Sequence, residues 1–216
     1  MAPTAGSSVP PGSFARRERH ALCDLVLAVG PDAPTLCDGW TVLDLVVHLL
    51  VRERKPWAAG EIPVPGLRGL AERTSTALRR EPFQALVGRL RTPPPPLRPA
   101  RIEALVNTVE FFVHHEDVRR AQPGWSARQL AAADAAALWG PLRLIGRGLV
   151  RSAGVPVEIV SGSRRSVLRR GDDPVVLSGP VGELAMFLFG RADVSGLSFD
   201  GPDDRVAALR GAKLGF

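Results

Sequence analysis

Glu110 and His114 stand four residues apart, and His48 lies in a second, strongly apolar stretch. On an α-helix a spacing of four places two side chains on one face, about a turn apart, close enough to share one ion. Two imidazoles and a carboxylate suit zinc and several other divalent metals, and three protein ligands leave a position open for chemistry. Two ligands from one helix and a third from its neighbour is how a helical bundle builds a metal site in its core. A plainer reading of the same residues is a hydrogen-bonded core histidine and an ordinary Glu–His contact.

The neighbours of these residues divide by helical geometry. His115 is turned about 100° from His114, so it belongs beside the site or on the surface. Asp117 follows His114 by three residues and can accept a hydrogen bond from the ring nitrogen that does not ligate. It can equally pair with Arg119 or Arg120, and the surface pair is the preferred reading. Arg52 follows His48 by four residues, at the mouth of the same cavity, and is the candidate for binding an anionic group. His20 sits among Arg16, Arg17 and Arg19 and is expected to be exposed. Cys23 and Cys37 form no C-x-x-C pair and read as partly buried free thiols in a reducing compartment. No G-x-G-x-x-G, P-loop or G-x-S-x-G pattern is present. Gly146 and Gly148 are spaced for helix packing.

The elements that must position these residues follow from the hydrophobic period. Phe14 to Val29 repeats apolar residues at three and four, and Gly30-Pro31 ends it. Thr41 with Asp44 marks the start of a helix whose interior, Val42 to Val51, is apolar on nearly all sides and therefore buried. Pro56 stops it. Leu67 to Arg80 and Pro82 to Arg91 read as two shorter helices, the second with proline in its favoured first position. Four prolines make Thr92 to Ala100 a stiff extended connector. Arg101 to Ala121 is the longest helical pattern. Ser126 to Ala153 is a further one, with a kink or break at Gly140-Pro141. Helices of this length in succession imply a four-helix bundle.

After Gly154 the pattern changes to short strands at Val155–Val160, Ser166–Arg169, Val175–Leu177 and Leu197–Phe199. Helices are expected at Pro180–Phe189 and Asp203–Leu209. The expected organisation is a leader over 1–12, a helical domain over 13–153 and a small α+β domain over 154–216.

Composition bounds the function. The chain has 216 residues, 45% hydrophobic and 23% charged, an ordinary globular balance for one or two domains. No run approaches the ~18–20 apolar residues of a membrane span. The N-terminus lacks a basic start followed by an apolar block and reads as a disordered leader, with the protein in the cytoplasm. The net charge is +6, yet only Lys55 and Lys213 are lysines among 28 basic residues. That bias is what GC-rich coding produces. The arginines are scattered and no aromatics interleave with them as in a stacking platform, so nucleic acid is not an expected partner.

Thr35–Glu53 (TLCDGWTVLDLVVHLLVRE) and Val106–Trp125 (VNTVEFFVHHEDVRRAQPGW) resemble the DinB/YfiT-like metalloenzyme superfamily. Within it they resemble the mycothiol-dependent maleylpyruvate isomerase branch, and an actinobacterial family of metal-binding proteins there. The shared marks are the D-G-W-T helix start, the H-x-x-x-R-E run and E-F-F-V-H-H-E-D-V-R-R-A. The resemblance runs from Phe14 through the C-terminal unit, which looks like a sterol-carrier-like α+β domain. It implies a divalent metal, zinc first among candidates, held by His48, Glu110 and His114. It also implies a thiol (mycothiol)-dependent transferase or isomerase, acting on a small electrophile, as monomer or homodimer. The alternative is a metal- or small-ligand-binding module without catalysis.

Overall fold

The computed structural model describes residues 13–54, 68–92 and 100–215. The leader over 1–12, the stop at Pro56 and most of the proline connector lie outside the described residues. The helices of the first part are α1 Phe14–Val29, α2 Val42–Arg54, α3 Arg68–Leu78, α4 Phe83–Arg91, α5 Ala100–Arg120 and α6 Ala132–Leu149. A 3-10 turn at Arg151–Ala153 leads into β1 Val157–Ser161, β2 Arg164–Arg169, β3 Val175–Ser178, α7 Val181–Leu188, β4 Ser198–Asp200 and α8 Asp203–Gly211. The chain is thus helical first and mixed α+β afterwards, as the two hydrophobic periods predict.

Local chemistry sets the helix ends. The Ser13 side chain accepts from the Arg16 amide at the start of α1, and Gly30, at φ 89°, closes it. At α2 the Thr41 hydroxyl accepts from the Asp44 amide at 3.4 Å, while Asp44 accepts from the Thr41 amide at 3.0 Å. This reciprocal capping satisfies two backbone donors that the helix leaves open. Pro82 caps α4 from outside and is not its first residue.

One helix departs from expectation. Residues 126–131 stay out of α6, and the helix continues through Gly140-Pro141 without ending. The reason lies in what the extended segment reaches. Arg128 bonds both carboxylate oxygens of Glu18 at 3.0 and 2.8 Å, and Leu130 packs on the core. Buried ionic bonds of this kind outweigh the modest helix preference of an Ala-rich segment.

The long helix α5 separates two apolar clusters. Phe111 faces one, with Leu22, Leu45, Leu49, Leu86 and Leu90 from α1, α2 and α4. Phe112, the next residue, faces the other, with Leu138, Leu142, Ile159, Leu177 and Leu184 from α6, the sheet and α7. Both rings are almost wholly buried, so α5 is a core helix apolar on opposite sides. The sheet order is β2-β1-β3-β4, with β1 parallel to β3 and antiparallel to β2, and β4 antiparallel to β3. No helix among the described residues is long and apolar enough to cross a membrane.

Candidate metal and ligand site

A cavity of about 940 Å³ opens where α2, α5, the 35–40 loop and the 189–193 turn meet. His48, Arg52, Glu110 and His114 line it together with Cys37, Trp40 and Arg191. The ligand atoms of His48, Glu110 and His114 all lie within 4.8 Å of one another. Glu110 Oε2 is 3.4 Å from His114 Nε2 and 3.5 Å from Arg52 Nε. The two imidazole rings of His48 and His114 meet edge to face at 5.4 Å.

The protonation states sort the donors. Burial, then the neighbouring His114, pushes the His48 pKa down to about 3. His48 is therefore a neutral imidazole at physiological pH. Among the described residues it makes no hydrogen bond, only ring contacts with Trp40 at 5.0 Å and with His114. Burial raises the Glu110 pKa, but the hydrogen bond to His114 and the charge of Arg52 outweigh it and bring it to about 2. Burial opposes a charge on His114, yet Asp117, Cys37 and Glu110 raise its pKa well above the ordinary value. His114 Nε2 and Glu110 Oε2 thus face each other, 3.4 Å apart, at the place a cation would occupy.

His114 Nδ1 lies 3.0 Å from Asp117 Oδ2. Asp117 is fully buried and also takes two bonds from Arg191, both at 2.7 Å. The expected surface pair of Asp117 with Arg119 or Arg120 is corrected here, because both arginines bond Glu116 instead. At i,i+3 from His114 and facing inward, Asp117 fixes the ring so that Nε2 points into the cavity.

A second set, Cys37, His114 and Asp117, also converges within 4.8 Å. Its space is already filled by a fixed cation. The Arg191 guanidinium spans both Asp117 oxygens and lies 3.3 Å from Cys37 Sγ. The set that faces open space is His48, Glu110 and His114. Its chemistry, a neutral imidazole, an ionised carboxylate and an imidazole oriented by a buried aspartate, fits a divalent cation. The Nε of Arg52 is buried beside Glu110 without a hydrogen bond, so arginine does not saturate that carboxylate.

The other expectations divide. Arg52 lines the cavity, held by Glu110 and by Asn107 Oδ1 at 2.7 Å. His115 is buried and pairs with Glu18 at 2.8 Å on the far side of α5. His20 is half-buried, not exposed. Both cysteines are free, Cys23 in the core and Cys37 at the cavity. The places of Cys37, Trp40 and Arg191 in the cavity wall escaped the sequence reading. Cys37 and Trp40 flank the D-G turn before α2, which could have flagged them. Arg191 arrives from 74 residues beyond Asp117, and nothing local marks it.

No known family description matches the chain, and no curated protein matches it in sequence. Solved structures do match. The mycothiol-dependent maleylpyruvate isomerase aligns with a TM-score of 0.57 at 20% identity, over 87% of this chain and 90% of that one. A histidine-to-alanine mutant of a mycothiol-dependent maleylpyruvate isomerase aligns with 0.56 at 19% over the same shares. This chain has that isomerase's fold. The match extends over most of both chains.

Proposed function

We propose that this protein is a divalent-metal, thiol-dependent isomerase or transferase acting on a small electrophile. The metal is zinc, its ligands are His48, Glu110 and His114, and the thiol is of the mycothiol class. The chain is read as a DinB-like four-helix bundle over 13–153 followed by a sterol-carrier-like unit over 154–216, working in the cytoplasm. The observation that carries this reading is the convergence of three donor side chains on the wall of a large cavity. The shared fold with an isomerase named for its thiol supports the cosubstrate.

When bound, a divalent ion would stabilise a thiolate and so supply the nucleophile at neutral pH. The chain's own residues do the rest. His48 offers an unprotonated nitrogen held against Trp40. Glu110 contributes the one anionic donor of the set. Asp117 holds the Nδ1 proton of His114 and leaves Nε2 to face the cavity. Arg191 keeps Asp117 ionised by pairing with it. Arg52 places a guanidinium at the cavity wall, where it can meet an anionic group of thiol or electrophile.

The test is elemental analysis of protein purified without chelator or histidine tag, beside His114→Ala. About one zinc per chain in the parent and none in the variant supports the site and justifies assaying mycothiol with maleylpyruvate and related electrophiles. No metal in either protein, and no uptake on adding zinc, removes the metalloenzyme reading.

A further inference from the structure

A second cavity, of about 380 Å³, lies in the α+β part of the chain. Phe187, Leu197, Phe199, Ala212 and Leu214 give it an apolar side, and Arg191 and Arg210 a charged one. The Phe187 and Phe199 rings meet edge to face at 5.2 Å on this wall. Arg210 stands at the rim with its guanidinium 4.2 Å over the Phe199 ring. Among the described residues Arg210 pairs with no carboxylate. Arg210 is itself exposed, and Arg191, the other arginine on this wall, is already paired with Asp117. A guanidinium over an aromatic wall with no carboxylate partner is poised for bidentate pairing with one.

This cavity adjoins the larger one. Gly190, Arg191, Ala192 and Leu214 line both. The shared wall is tight for a stated reason. Gly190 has φ 80°, and a Cβ there would lie 2.6 Å from the Leu214 carbonyl oxygen. Only glycine lets the C-terminal segment cross the 189–192 turn so closely. A ligand in the smaller cavity therefore lies across one short turn from the larger cavity.

We infer that the smaller cavity is a binding subsite for an apolar, ring-bearing carboxylate, with the ring against Phe187 and Phe199 and the carboxylate on Arg210. The lining combines apolar side chains with two placed charges, of which Arg191 is already paired with Asp117 and Arg210 is open to a ligand. On the reading of the larger cavity as the reaction site, this makes the electrophile a molecule with an apolar body and a remote acid group. That deepening rests on the proposed function, but the binding subsite does not.

The experiment is calorimetric titration of the full chain with 3-phenylpropionate and with its uncharged counterpart, 3-phenylpropanol. The carboxylate should bind, and Arg210→Gln should weaken it about fivefold to tenfold while leaving the alcohol unchanged. Ala212→Phe should fill the cavity and abolish both, with an unchanged circular dichroism spectrum showing that it folds. His48→Ala should leave both titrations as they are, so a failed metal site and a failed subsite give different results. Two outcomes overturn the inference: no binding of 3-phenylpropionate to the parent protein, or binding that Arg210→Gln leaves intact and His48→Ala weakens. The latter would put the acid in the larger cavity.

Discussion

His114 and His115 are neighbours in sequence and opposites in surroundings. His114 faces a cavity of about 940 Å³ beside His48 and Glu110. His115, turned to the other side of α5, is closed in by Glu18 of α1. Around His115 the charges pair off within the protein. Glu18 meets Arg128, Glu116 meets Arg119, Arg120 and Arg128, and Glu183 meets Arg120. The first cluster keeps an imidazole, His48, without a hydrogen-bond partner among the described residues. The difference teaches how to tell structure from function among buried polar groups. A closed network spends its donors on itself, whereas an open one holds a donor set toward space that only a ligand can fill.

The largest effect that would test this contrast lies in the closed network. Arg120 bonds Glu116 at 2.6 Å, Glu183 at 2.6 and 3.0 Å, and the Asp193 carbonyl at 2.5 Å. Removing it by Arg120→Ala leaves the buried Glu183 without a cationic partner, while Glu116 keeps Arg119 and Arg128. The expected loss is about 3–5 kcal/mol of stability, measured by urea unfolding. Bound metal per folded chain should stay the same. A variant that keeps its stability but loses metal would merge the two clusters into one functional unit.

Asp117→Asn acts on the open side and ranks next. Asparagine is nearly isosteric but does not carry the charge that holds the His114 Nδ1 proton and Arg191. Metal affinity should fall about 10- to 100-fold, read by competition with a chromophoric chelator. An affinity within twofold of the parent would show that packing alone orients His114.

A smaller effect concerns acid. Burial raises the Glu18 pKa, but His115 and Arg128 together lower it below the ordinary 4.5. A carboxylate depressed on folding contributes stability that is present above the unfolded pKa and lost as the pH falls through the folded one. Urea midpoints measured downward from pH 5 should fall more steeply for the parent than for Glu18→Gln. The effect ranks below the others because Arg128 keeps Glu116 as a partner when Glu18 is protonated. Parallel slopes would remove Glu18 from the network's energetics.

Much of this was legible in the sequence. The bounds of α1 match its apolar period to the residue, and the capping pattern at Thr41 and Asp44 forms as read. Those features are local, set by spacing and by side chains three residues apart. For His48, Glu110 and His114 the spacing leaves a metal site and a plain core cluster both open, and it is the family resemblance that implies the three-ligand set. What the sequence hid depends on distant contacts. Sequence proximity to Arg119 and Arg120 points Asp117 to the surface, but Glu116, inward and adjacent, takes both. Alanine and leucine favour a helix over residues 126–131. Arg128 is drawn out by Glu18, which stands 110 residues away, and no local pattern encodes that pull.

The smallest predicted effect asks how firmly the open cluster is held. Thr41→Ala removes one half of the cap at the start of α2 and should cost about 1 kcal/mol, seen as a fall of about 2–4 °C in Tm for a chain of this size. The 35–40 loop, with Cys37 and Trp40 in the cavity wall, leads directly into that cap. His48 lies nearly two turns further on, between Leu45 and Leu49, which are fully buried. If packing places His48, metal affinity should stay within twofold while the Trp40 fluorescence changes with the loosened loop. A tenfold loss of affinity from so mild a change would show that the loop holds the imidazole in place. The open cluster would then be a site assembled by its lid, and the rigidity that marks the closed network would have no counterpart there.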